Sequence, residues 1–285
     1  LYYYGAGRWG SGIEIPAHDQ DFYALKNVPH GDIREVHYWS ETNKEMRHCF
    51  IYTPPRYDQN KKKRYPVLYL QHGGGENEYG WPEQGKTGLI MDNLIAEDKA
   101  EEFIIVMDNG TWARPRPAQR PQAPAEGQAR PQGGRRAPGM GLPSNWADGF
   151  MNTLINDIIP MVDSRYRTKA DRKYRAMAGL SMGGMQTKAI TMKNPDVFSA
   201  LGIFSGGVIS AEEADQAEGF RDAYKLVFIS FGSREVETPR YGHDPKVVTE
   251  ELKASGMNAH YYVSPETAHE WQTWRRSLYQ FAQLI

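Results

Sequence analysis

The pentapeptide Gly179-Leu180-Ser181-Met182-Gly183 is where residue type and spacing in this chain point most directly to a reaction. An apolar run at 174–178 precedes it and a helical pattern at 183–193 follows, the surroundings of a serine carried on a sharp strand-to-helix turn. The glycines have a steric reason: without side chains beside the serine, the chain bends sharply and the helix closes against the strand. A hydroxyl lifted out of a sheet in this way can attack a carbonyl carbon once a base takes its proton. A second glycine cluster, Gln71-His72-Gly73-Gly74-Gly75, follows the apolar run at 66–70. Amides of such a loop, with the amide after the nucleophile, can hold the negative oxygen of a tetrahedral intermediate. Gly74 and Met182 are therefore the expected oxyanion donors, and His72 is expected to brace the loop.

The base for such a nucleophile comes late in chain order, and of the 8 histidines His243, His260 and His269 follow Ser181. His260 falls inside an apolar run at 260–263. His243 sits in a polar, glycine-containing turn and is the runner-up. His269, just past the run and immediately before a last helical segment at 270–283, is the expected base. The acid belongs on the loop after the run at 226–231, in Gly232-Ser233-Arg234-Glu235-Val236-Glu237. Glu235 is the first choice. Glu237 and the later Asp244 stay open, because an extended chain puts Glu235 and Glu237 on the same side.

These loops need a scaffold, and the pattern around them supplies one. Apolar runs at 66–70, 103–107, 174–178, 200–204, 226–231 and 260–263 alternate with helical segments at 87–97, 150–162, 183–193, 245–255 and 270–283. Such alternation predicts an α/β chain with a mostly parallel sheet flanked by helices. Two strands at 32–40 and 46–53 are expected as an antiparallel pair at its N-terminal edge. Residues 1–24 show no clear period and read as an arm or linker remnant; 25–285 reads as one catalytic domain. Within it 113–141, rich in Pro, Arg and Gly, reads as a flexible insertion.

Composition narrows the partners. With 34 basic against 35 acidic residues, there is no electrostatic case for nucleic acid or an acidic membrane surface. No apolar run approaches the ~20 residues that span a bilayer. Cys49 is the only cysteine, so an intrachain disulfide is impossible. No metal or cofactor is expected, because His, Asp and Glu do not recur at zinc-ligand spacings and no G-x-G-x-x-G opens a helix after a strand. The chain opens on Leu1 without a signal-peptide pattern, which reads as a processed or truncated start.

At these residues the chain resembles the esterase D-like family of α/β-hydrolases, and within it the feruloyl and acetyl xylan esterases of carbohydrate esterase family 1. The resemblance rests on 65–75 with Trp81, 103–110, 150–168, 178–204, 228–235 and 264–276. It implies an α/β-hydrolase fold and a Ser181–His269–acid triad in which Glu235 stands where Asp is usual. It also implies a flat slot for an aromatic acyl group, with Trp81, Trp112, Trp146 and Trp271 as candidate walls. The implied substrate is feruloylated or acetylated xylan, and the implied location is secreted or periplasmic. The stretch 4–9 is similar to the junction behind an immunoglobulin-like carbohydrate-binding domain. Rival readings are an acetyl xylan esterase, a siderophore esterase and, in a different class, a non-catalytic carbohydrate-binding protein. Oligomeric state is not legible.

Overall fold

Every residue of four strands, Val67–Gln71 (β5), Ile104–Asp108 (β6), Ala200–Phe204 (β8) and Leu226–Gly232 (β9), is buried. Strands covered on both faces read as unbroken apolar runs, and side chains two apart serve opposite layers. Val67 and Tyr69 accordingly enter one core and Leu68 and Leu70 the other. The computed structural model describes residues 2–5, 8–13, 15, 19–111, 145–237 and 244–285. The insertion at 113–141, Trp112 and His243 lie outside them.

The remaining strands are β1 (Tyr2–Gly5), β2 (Arg8–Ser11), β3 (Asp32–Ser40), β4 (Glu45–Thr53), β7 (Arg175–Leu180) and β10 (Ala259–Ser264). The main sheet has eight strands in the order β10-β9-β8-β7-β5-β6-β4-β3. The first six of that order run parallel, while β4 pairs antiparallel with both β6 and β3. This is an α/β-hydrolase fold with its antiparallel pair at the N-terminal edge.

Helices α1 (Thr87–Ala96) and α9 (Trp271–Phe281) cover one face through Ile90, Leu94, Leu278 and Phe281. The other face is covered by α2 (Asp148–Thr153), α3 (Ile159–Arg165), α4 (Met182–Lys193) and α8 (Pro245–Ala254), with Phe150, Val162, Ile190 and Leu252 inward. Three short helices, α5 (Ala211–Gln216), α6 (Phe220–Ala223) and α7 (Ser233–Val236), lie in the connections.

One element differs from the sequence expectation. The segment read as one helix over 150–162 is α2 and α3 joined by a π-helical turn, Leu154–Ile158. Pro160 is the second residue of α3; it has no N–H for the carbonyl four residues back, and a wider turn tolerates that loss. The N-terminal stretch read as an arm or linker remnant carries the antiparallel pair β1 and β2, and Tyr23 is buried in the same core as α1 and α9.

Helix α1 ties that segment down. Asp92 accepts from the Tyr52 hydroxyl at 2.7 Å and the Gly31 amide at 2.9 Å, and pairs with His30 Nδ1 at 2.8 Å. Asn93 Nδ2 donates to the Phe22 and Ala24 carbonyls. Asp92→Ala strands a buried hydroxyl and an amide, and is expected to lower the unfolding free energy by about 2–4 kcal/mol. Urea unfolding measures this; a loss below about 0.5 kcal/mol contradicts the account of Asp92.

Candidate active site

The elbow between β7 and α4 is built on near-contact of backbones. A Cβ on Gly179 would sit 2.5 Å from the Gly183 carbonyl group, and one on Gly183 would sit 2.6 Å from the His72 carbonyl oxygen. Only glycine permits strand, helix and glycine loop to approach this closely. Ser181 itself has φ 51° and ψ −113°, a sparsely populated conformation for an L-residue. Its amide is held by the Phe204 carbonyl at 2.8 Å.

From this strained position Ser181 Oγ lies 2.8 Å from His269 Nε2, and His269 Nδ1 lies 2.7 Å from Glu235 Oε1. A carboxylate can only accept, so Nδ1 carries the proton and Nε2 is left to accept from the serine. The other carboxylate oxygen, Oε2, accepts from Ser205 Oγ and the Gly232 amide, both at 2.7 Å. Burial resists ionisation of Glu235, but the hydrogen bonds from His269, Gly232 and Ser205 outweigh it and hold its pKa below the usual value. The group therefore stays an anion beside the imidazole.

The local fold separates Glu235 from its rivals. The chain does not stay extended after Gly232 but turns at once into α7, which folds Glu235 back toward the Gly232 amide. Glu237 is exposed beyond that turn. Asp244 instead caps α8 by accepting from the Lys246 amide. His260 lies on β10 with Nε2 against Asn258 Oδ1. The loop carrying His269 is clamped to α7 by Arg234 N–H to Thr267 O at 3.0 Å and Glu266 N–H to Ser233 Oγ at 2.9 Å.

The glycine loop faces the same point. Gly74 is exposed and its Cβ position is 3.9 Å from the Met182 Cβ; Met182 opens α4, so its amide has no intrahelical acceptor. His72 is buried, donating from Nδ1 to the Gly73 carbonyl (2.8 Å) and accepting at Nε2 from the Gly110 amide (3.0 Å). A trans peptide whose carbonyl is turned to His72 turns the Gly74 N–H to the opposite edge.

The tryptophans divide. Trp81 is only 1% exposed and donates its indole N–H to the Gln71 carbonyl at 2.8 Å, so it props the loop from below and presents no face to a ligand. That corrects the reading of Trp81 as a slot wall. Trp271 is half-buried, edge-on to Trp81 and to Trp274, each at 5.3 Å between centroids. Trp146 is half-buried in the turn before α2, with no ring contact to the site among the described residues. Two residues escaped the sequence reading. Ser205, in the Ser-Gly-Gly turn after β8, also accepts from the Trp274 indole at 3.1 Å. Glu76 accepts from the Gly73 amide at 3.0 Å. The turn after a parallel strand was the available signal for Ser205; nothing local marked Glu76. Among the described residues no group of His, Cys, Asp or Glu could hold a metal, and no helix is long and apolar enough to cross a membrane.

Comparison with known proteins fits this arrangement. The Esterase family model, described as "Putative esterase", matches residues 40–284. The chain belongs to this family. An endo-1,4-beta-xylanase/feruloyl esterase of Xylanibacter ruminicola is 44% identical over 99% of the chain. Endo-1,4-beta-xylanase Y of Acetivibrio thermocellus is 25% identical over 80% of it. The matched regions make up 35% and 21% of those two relatives, so this esterase-family chain spans a minor part of their length. A ferulic acid esterase structure from Anaeromyces mucronatus, in complex with ferulic acid, shares the fold. Its TM-score is 0.69 at 23% identity, covering 95% of this chain and 97% of that one.

The buried His72 gives a pH signature. Burial pushes its pKa down from 6.5 to about 4, whereas the unfolded ring titrates near its ordinary value. Between those limits the unfolded state binds more protons, so stability falls as pH drops from 6.5 towards 4, by up to roughly 3 kcal/mol. In His72→Asn this acid slope is expected to be shallower. An unchanged slope in urea unfolding across that pH range contradicts a buried neutral His72.

Proposed function

We propose that this chain is a serine esterase that cleaves carboxylic esters on plant cell-wall polysaccharide, feruloyl esters of arabinoxylan above all. The observation that carries the reading is the unbroken Ser181–His269–Glu235 chain, at 2.8 and 2.7 Å, on a strained elbow beside the glycine loop. The similarity to the endo-1,4-beta-xylanase/feruloyl esterase of Xylanibacter ruminicola supports the substrate class. An insoluble polymer does not enter the cytoplasm, so this substrate fits a secreted or periplasmic protein.

In the proposed mechanism Ser181 Oγ attacks the ester carbonyl carbon as its proton passes to His269 Nε2. Charge gathers on the carbonyl oxygen, which the Gly74 and Met182 amides receive; a donor of this kind contributes about 3 kcal/mol to the barrier. Glu235 remains ionised and holds the imidazolium through Nδ1. The tetrahedral species collapses, the leaving sugar oxygen takes the proton from Nε2, and the acyl group stays on Ser181. Water then attacks the acyl carbon, passes its proton to His269, and releases the free acid with Ser181 restored. The half-buried Trp271 borders the acyl group. The catalytic unit is proposed to cover 25–285 with 113–141 as an insertion.

Methyl ferulate and an acetylated xylan oligomer, assayed side by side, test the function, and the expected outcome is turnover of the ferulate ester. Exclusive release of acetate moves the reading to an acetyl xylan esterase. On the preferred substrate Ser181→Ala is expected to lower kcat by several orders of magnitude, and Glu235→Gln by on the order of 10⁴ through loss of the correct imidazole tautomer. Glu237→Gln is expected to keep most of its activity. The reverse ranking of the two glutamate variants transfers the acid role to Glu237.

A further inference from the structure

Glu76 takes no part in those proton transfers, yet its carboxyl joins two separately placed pieces of the site. Its Oε2 accepts from the Gly73 amide at 3.0 Å while its own amide returns to the Gly73 carbonyl at 3.3 Å. The Trp271 ring borders the same carboxyl across Gly80. A Cβ on Gly73 would lie 3.2 Å from Glu76 Oε2 and 3.5 Å from the Ser181 Cβ; one on Gly80 would lie 3.2 Å from the Trp271 ring and 3.7 Å from Oε2. The carboxyl therefore fills the gap between the glycine loop and the first residue of α9, beside the nucleophile.

No Lys or Arg pairs with Glu76 among the described ion pairs, and burial pushes its pKa up against the Gly73 N–H. A half-buried carboxyl without a cationic partner carries a desolvation cost that an apolar residue would avoid. Stability alone is a poor reason for an acid here; geometry is a better one.

We propose that Glu76 is a positioning residue that brackets the glycine loop to the histidine-bearing segment and so sets the gap between the Gly74 amide and His269. This rests on the proposed roles of Ser181, His269 and Gly74. With Gly73 N–H held by Glu76 and the Gly73 carbonyl held by His72 and the Glu76 amide, the peptide that carries the Gly74 N–H has a fixed plane. Trp271, two residues past His269, is the other end of the bracket. Loosening it displaces donors needed in the transition state more than those needed for binding, so kcat suffers and KM does not.

The test compares Glu76→Ala and Glu76→Gln with the wild-type chain on methyl ferulate, and follows the Trp271 indole N–H resonance by NMR. Glu76→Ala is expected to lower kcat by roughly 10- to 100-fold, the scale of a misplaced catalytic group, with KM within about twofold. Glu76→Gln keeps an acceptor oxygen and is expected to recover much of the loss. In Glu76→Ala the indole resonance is expected to shift as the ring loses the carboxyl beside it. Unchanged kcat in Glu76→Ala, or a rise in KM in place of the fall in kcat, overturns the proposal. Should the wild-type chain hydrolyse no ester, the proposed function fails on its own. The indole resonance then still decides the bracket: a shift in Glu76→Ala retains it, and none removes it.

Discussion

The close packing of backbone at Gly179, Gly183 and Gly184 is the constraint from which the rest of the site follows. β7, α4, the glycine loop and the turn after β8 meet where a single Cβ would come within about 3 Å of a neighbouring main chain. That meeting forces Ser181 into a positive-φ conformation, a strain of ~1–3 kcal/mol that the surrounding packing must offset. In return the hydroxyl stands at the start of a helix, and the amide after it has no intrahelical acceptor. Replace the glycines and the serine loses its place, the loop its distance, and the helix its start.

Charge is distributed around that point with little redundancy. Glu235 is longer than aspartate by one methylene, and the helical turn α7 takes up the extra length by folding the side chain back onto the Gly232 amide. Two neutral donors and one imidazole keep it anionic in a buried setting, which is what an imidazolium facing it requires. His72 is held in the opposite state, uncharged, because its Nε2 must accept from Gly110. The same ring that orients the glycine loop thus also holds the Gly110 amide after β6.

How much of this was readable before the structure depended on how local each feature is. The elbow and the glycine loop were legible because a tight turn demands glycine at particular positions whatever surrounds it. His269 was legible because chain order and a following helix leave few candidates. Glu235 could not be separated from Glu237, since the distinction depends on the chain leaving the strand as α7, and four residues carry too weak a helical pattern to show that. Trp81 was misplaced because nearness to a motif says nothing about burial. Asp92 and Ser205 were invisible as partners because their acceptors and donors come from segments far away in sequence, joined only by the sheet order. The π-helical turn before Pro160 escaped because apolar periodicity over 150–162 continues through it.

The claim on which the account stands is that Ser181 becomes acylated. Rapid mixing with a feruloyl nitrophenyl ester, acid quenching and mass spectrometry of the proteolysed chain measure that directly. The account predicts a peptide containing Ser181 heavier by one feruloyl group, formed in a burst and lost in Ser181→Ala. An adduct on any other residue, or turnover at full rate with no adduct in the burst phase, contradicts it.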